Sequence, residues 1–388
     1  MSTYRKSRGP ALLLVLFAVV LAAVPAAAQI ALPEYLSISA DVRAGYFSSQ
    51  RDDRDGSESE SSDLRTRIRL GAALRLSDAF SAKVRLAGRY STEQELFDFY
   101  VRDHAPTVDG LRFGETTIDE AYLNYRPSQR VNLRAGRFHS KFVLADLMGK
   151  SLDRGDSPNT DITWTDGAHL TVGLTRGWSS HFLVQHNAAE GPTNVVRAPL
   201  AFSESRSRLT WFAALENTAA WGPVVQRALD LTYIPGALRV DGTAEGEIED
   251  YVGLVARGAA AWPVATGRLL LGGEVGVAPN TPTRQAQRVG DATDGRSGGL
   301  AYQLAVTLAD AIEGHRFGIV YGETQAGWLI APDFRENNRL IEGRYQWRFA
   351  TNHSFEARAR LRRDLDQIIG SERRRQDLDF YLRITSRF

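Results

Sequence analysis

Residues 376–388 read Gln-Asp-Leu-Asp-Phe-Tyr-Leu-Arg-Ile-Thr-Ser-Arg-Phe, and their alternation decides the fold. Leu378, Phe380, Leu382, Ile384 and Phe388 share one face of a strand, while Asp379, Tyr381, Arg383, Thr385 and Arg387 share the other. An apolar face backed by a charged one over about eleven residues has the length and pattern of a tilted strand crossing a bilayer. A strand of a soluble sandwich is usually shorter and leads into a turn. The stretch therefore predicts a wall that is greasy outside and wet inside.

The same period extends back to the start of the mature chain. Ile38, Ala40, Val42, Ala44 and Tyr46 alternate with Ser39, Asp41, Arg43 and Gly45, and Leu64 to Leu76 alternate with Arg65, Arg67, Arg69 and Arg75. Ala82, Val84, Leu86 and Tyr90 then oppose Lys83, Arg85, Ala87 and Arg89. Further strands are predicted at 116–126, 130–138, 165–174, 179–187, 206–217, 224–234, 248–262, 267–277, 299–309, 315–322, 339–349 and 353–363. With 376–388 they make about sixteen, the even number that keeps both chain ends on one side of a membrane. Short turns near Ser77, Pro127 and Thr175 alternate with long connectors such as 48–62, 91–115 and 139–164, the asymmetry of short periplasmic turns and long outer loops. Aromatic residues near strand ends, among them Tyr46, Phe47, Tyr125, Trp221, Trp262, Trp347 and Phe388, suit the two membrane interfaces. The fold class expected is all-β, a transmembrane antiparallel β-barrel. A large soluble sandwich would have to cover an apolar face that runs on from strand to strand.

Arg5, Lys6 and Arg8 precede the apolar run Ala11 to Val24, and Ala26-Ala27-Ala28 offers small residues for cleavage. Residues 1–28 are read as a signal peptide and 29–388 as the barrel. The run of about fourteen residues is short of the roughly twenty a spanning helix needs. There is no cysteine, so an exported chain cannot rely on disulfides. Lys and Arg number 47 against 46 Asp and Glu, a balance that gives no pull toward nucleic acid. Lysine occurs only at 6, 83, 141 and 150, so nearly all cationic groups are arginines, the side chain of fixed anion contacts.

The terminal Phe388 after alternating apolar positions resembles the C-terminal insertion signal of bacterial outer-membrane proteins. The chain as a whole is similar to the Gram-negative porins in strand number, loop alternation and last residue. That resemblance implies location in the cell outer membrane among its lipids, and folding by the barrel-assembly machinery. It also implies a homotrimer, passive passage of small hydrophilic solutes, and a third outer loop, about 137–165, folded inward as a constriction.

Closing such a barrel pairs the last strand with the first and gathers Arg43, Arg65, Arg67, Arg69, Lys83, Arg85, Arg358, Arg360, Arg362 and Arg383 on one inner wall. The opposite strands direct Gln226, Asp230, Gly253, Arg268, Glu274, Gln303 and Thr307 inward. The third loop carries Asp146, Asp153, Asp156 and Asp161, which could face the arginines across the bore and select charged solutes by the field between them. The arginines could instead pair with lumen acids such as Asp41, Glu356, Asp377 and Asp379. The expected function is a porin for small, anionic solutes, with a channel specific for phosphate or acidic sugars as the alternative. A barrel enzyme or a surface adhesin is the further alternative. For an enzyme the best assembly is His186 with Asp230 or Glu216, and there is no Gly-x-Ser-x-Gly elbow. No catalytic residue, cofactor or metal is expected: His181 and His186 lie five apart on one strand and face opposite sides. Gly149-Lys150-Ser151 imitates a phosphate loop, but Leu144 stands where its first glycine belongs.

Overall fold

The computed structural model describes residues 33–92, 100–102, 115–155, 162–187, 197–290 and 295–388. Residues 1–28, expected to be a signal peptide, and two of the loop acids, Asp156 and Asp161, lie outside the described residues.

Sixteen antiparallel strands form the wall among the described residues. They are β1 (Leu36–Asp52), β2 (Glu58–Arg75), β3 (Phe80–Ser91), β4 (Glu115–Ser128), β5 (Val131–Phe138), β6 (Thr165–Gly173), β7 (Trp178–His186) and β8 (Leu209–Asn217). The second half comprises β9 (Val224–Arg239), β10 (Ile248–Val264), β11 (Gly267–Val277), β12 (Leu300–Ala309), β13 (His315–Thr324), β14 (Asn338–Ala350), β15 (His353–Asp364) and β16 (Gln376–Arg387). A short segment, Tyr100–Arg102, adds a parallel rung beside Glu115–Thr117. Each strand pairs with its sequence neighbour, and β1 pairs with both β2 and β16, so the sheet has no edge. Closure satisfies the backbone groups that lipid could not.

The seam is in the register that the alternation requires: Ala44 faces Ile384, and Gly45 faces Arg383. Phe388 prolongs it, its N–H donating to the Ala40 carbonyl and its carbonyl accepting from the Ala40 N–H, each at 2.9 Å. Ile38, Leu70, Val84, Leu123, Phe182, Leu229, Leu304, Ile319 and Phe380 are exposed on the outer face, where lipid would cover them.

Two expectations need correction. The connector expected at 48–62 is mostly strand, since β1 runs on to Asp52 and β2 begins at Glu58. Ser48 to Asp52 and Ser59 to Ser62 carry no apolar alternation because a wall that rises above the bilayer is wet on both faces. Phe47 is not an interfacial anchor: it is buried on the inner face, 5.5 Å from Tyr381 and 5.0 Å beneath the Arg65 guanidinium.

The dry core lies inside the barrel. Leu152 of the third outer loop (139–164) and Trp328, Leu329, Ile330 and Phe334 of the seventh (325–337) pack on Ile234, Tyr251, Val255 and Leu340. Loops thus fill the β9–β14 side of the bore.

Candidate functional site

The inner face from β14 through β16 and β1 to β4 is a sheet of ion pairs. Asp41 sits between two arginines of β2, 3.0 Å from Arg67 Nη2 and 3.0 Å from Arg69 Nε. Arg65 Nε lies 2.7 Å from Asp63, Arg360 Nη2 lies 2.7 Å from Asp379, and Arg383 Nη2 lies 3.0 Å from Glu356. Arg362 is 3.9 Å from Asp379 and donates to the Asp333 carbonyl. Arg358 stacks over the Tyr381 ring at 4.1 Å with Glu342 3.7 Å away. Arg43 stands in register between Arg67 and Thr385. In a narrow, low-dielectric wall such pairing is what keeps so many guanidiniums compatible with one another.

A second acid pair comes from a bulge. Arg85 of β3 pairs with Glu120 and Leu86 with Ile118, which leaves Asp119 as an extra residue and turns two consecutive carboxylates inward. Arg85 bridges them at 2.8 Å and 3.1 Å, Lys83 holds Glu120 at 2.7 Å, and His139 and Arg69 also reach Asp119. Strict alternation would place one of the two in lipid, so the period alone could not reveal this site.

The opposite wall holds the third outer loop by its backbone. Phe142 N–H donates to the Arg154 carbonyl (3.1 Å), closing the neck of an Ω-shaped excursion. Along it, Ala145 N–H meets Gln226, Met148 N–H meets Thr307, Lys150 N–H meets Gln303 and Leu152 N–H meets Glu274, all within 3.0 Å. Arg257, held by Asp230 and Glu216, donates to the Val143 carbonyl. Inward glycines make room: a Cβ on Gly272 would strike Leu147, and one on Gly276 would come within 2.6 Å of Trp328. Trp328 in turn donates from Nε1 to the Leu152 carbonyl at 3.0 Å. Lys150 anchors the far side of the loop, its Nζ 2.8 Å from the fully buried Glu342. Burial pulls its ammonium down to about 7 despite that carboxylate.

Residues 41–167 match a family model described as "Putative porin". Solved outer-membrane structures are similar over nearly the whole barrel. Pseudomonas putida OprB superposes with a TM-score of 0.58 at 10% identity, covering 91% of this chain and 94% of its own. The channel DcaP of Acinetobacter baumannii gives 0.57 at 11% identity, with 91% and 97% covered. An anion-selective porin from Comamonas acidovorans gives 0.53 at 11%, with 91% and 99% covered. No curated protein matches the chain in sequence. The chain has the barrel fold of these structures.

Within this barrel all ten basic residues singled out from the sequence occupy inner-face positions of β15, β16, β1, β2 and β3. Their carboxylate partners are largely Asp41, Glu356 and Asp379, as the pairing alternative had it, together with Asp63, Asp119, Glu120 and Glu342. The two described loop acids do not face them. Asp153 is buried against the other wall, where Thr232 donates to it at 2.6 Å and Arg154 lies 3.8 Å away. Asp146 is 55% exposed, but it sits at the tip of the loop beside Arg268 (3.3 Å), at the end of the barrel marked by the short turns. The physical reason is the seat: polar side chains of β9 to β12 take up the loop backbone, and the descending chain turns Asp153 into that wall and Asp146 down to its foot. Gln226, Glu274, Gln303 and Thr307, read from the sequence as inward residues of the opposite strands, are the loop's set of acceptors.

The candidate enzyme constellation comes apart in the same way. His186 is on the outer face, in register with Leu209, whereas Asp230 and Glu216 are inside and grip Arg257. His169 and His181, which sequence spacing did not connect, meet at 3.3 Å across β6 and β7 and pack on Phe142. Lys150, the centre of the phosphate-loop imitation, is committed to Glu342.

Proposed function

We propose that this outer-membrane channel passes small hydrophilic solutes by passive diffusion and prefers anions. The observation that carries the reading is the charge division of the bore. On β15, β16 and β1 to β3 the inward basic groups, including Arg43, Arg65, Arg67, Arg69, Lys83, Arg85, Arg358, Arg360, Arg362 and Arg383, outnumber the carboxylates they pair with. The side opposite them is covered by a loop whose exposed described residues, Lys141, Ala145 and Asp146, carry one charge of each sign. A bore with a cationic excess on one wall and no matching excess on the other concentrates anions without holding them tightly. In this reading the third loop, 137–165, is the constriction, residues 1–28 direct export, and Phe388 signals insertion by the barrel-assembly machinery. The working form is a homotrimer, and the barrel has no enzymatic role.

Purified protein in a planar bilayer should give stepwise, ohmic conductance, with a reversal potential in a salt gradient on the anion side. Insertion without current would refute the channel, and a cation-side potential would refute the preference. The several two-pronged arginine–carboxylate contacts, such as Arg85 on Asp119, favour a narrower second reading, a channel for acidic sugars or phosphate. Competition of chloride current by an acidic sugar distinguishes it from general diffusion.

A further inference from the structure

At the periplasmic end of the bore, below the third loop, lies a cavity of about 420 Å³. Four arginines from four different strands converge on it: Arg268 from the start of β11, Arg316 from the start of β13, Arg348 from the end of β14 and Arg387 from the end of β16. Only two carboxylates share the lining, Asp146 and Asp310. Asp146 is held by Arg268 at 3.3 Å, and its backbone carbonyl accepts from Arg316 Nη2. The remaining donors are under-used. Arg316 Nε is buried with no hydrogen-bond partner, Arg348 makes no side-chain ion pair among the described residues, and Arg387 is 67% exposed and only 3.9 Å from Asp41 at its nearest.

Guanidinium forks offer paired donors in a plane, which suits a tetrahedral or planar oxyanion and gives no comparable advantage to chloride. Like charges gathered in a concave site repel one another unless an anion sits among them. The Asp146 carboxylate meets only part of that demand, and it belongs to the tip of a loop rather than to the wall. We propose that the periplasmic mouth binds a small divalent oxyanion through Arg268, Arg316, Arg348 and Arg387, in competition with Asp146. The occupant takes over donors that hold the loop tip, so occupancy and loop seating are linked: an anion at the mouth loosens the foot of the third loop. The site adjoins the basic wall only through Arg387, which stands 3.9 Å from Asp41, and it rests on the channel reading only for its electrical consequence.

Inorganic phosphate titrated calorimetrically into the detergent-purified full chain tests the site without requiring current. Arg348→Gln should weaken binding by about tenfold, and Asp146→Asn should tighten it several-fold because the competitor is gone. Binding unchanged by both variants would place the phosphate on the basic wall and overturn the proposal, as would absence of binding heat in the parent protein. Asp146→Asn also serves where Arg348→Gln folds poorly, since it removes a charge from an exposed loop tip. In a bilayer, phosphate should reduce chloride current at lower concentration from the periplasmic face than from the outer face. Equal sensitivity from both faces counts against the site. A silent barrel whose phosphate binding still shifts in both variants upholds the site and removes the channel reading alone.

Discussion

The two halves of the bore solve the problem of a wet interior in different ways. On the β15-to-β4 side, cations and carboxylates alternate within the wall itself, so side chains satisfy side chains and the surface stays charged. On the β9-to-β13 side, glutamines, a threonine, a glutamate and glycines accept a folded loop, so side chains satisfy backbone and the loop supplies the new surface. A charged wall resists being covered, because any segment laid on it must desolvate paired ions. A wall of amides and glycines invites cover. The asymmetry of the bore thus follows from which strands received arginine and which received glycine.

The strongest way to break this division is at the joint between the halves. Glu342 of β14 faces Lys150 of the loop as well as Arg344 and Arg358 of the wall. Glu342→Ala leaves those cations without their shared carboxylate, a loss of roughly 3 to 5 kcal/mol for a buried pair broken on one side. The expected outcome is a lowered thermal midpoint with a larger, noisier single-channel conductance as the loop leaves its seat. A midpoint within a degree of the parent would show that the loop is held by its backbone bonds alone.

A smaller effect sharpens the charged half. Arg85→Gln removes the cation that bridges Asp119 and Glu120 and leaves both carboxylates on the wall. The anion-to-cation permeability ratio, from the reversal potential at low salt, should fall about twofold, with the difference shrinking as salt rises. An unchanged ratio would detach the selectivity from this wall.

The mildest test uses pH on the loop-covered half. Lys150 is held at about 7, below its ordinary 10.5, because burial disfavours its ammonium. Between those values the unfolded chain carries the extra proton, so this group's contribution to stability is complete above about 10.5 and is lost as pH falls to about 7. Thermal midpoints measured from pH 7 to pH 10 should therefore rise more in the parent than in Lys150→Met. A parallel pair of curves would mean that Lys150 remains charged in its seat.

Alternation made the strands and the basic wall legible. Every arginine named on the wall occupies its inner-face position because a period of two fixes the side of the sheet once the register is set. What alternation hid were its own interruptions: the bulge that brings Asp119 beside Glu120, and the raised rims of β1 and β2, wet on both faces. The histidine pair at 169 and 181 depends on which residues of two strands stand opposite, a matter of register that neither strand states alone.

The sequence by itself determined a closed barrel facing lipid outward, and the gathering of arginine on one side, because both follow from strand period and from the neighbours that closure imposes. Only the tertiary structure decided where the third loop lies and so where its acids point. Asp146 and Asp153 have the composition of a lumenal pole, yet the loop is positioned by its backbone. The bonds that hold it come from Gln226, Glu274, Gln303 and Thr307, residues from about eighty to one hundred and sixty positions away whose inward direction was legible but whose partner was not.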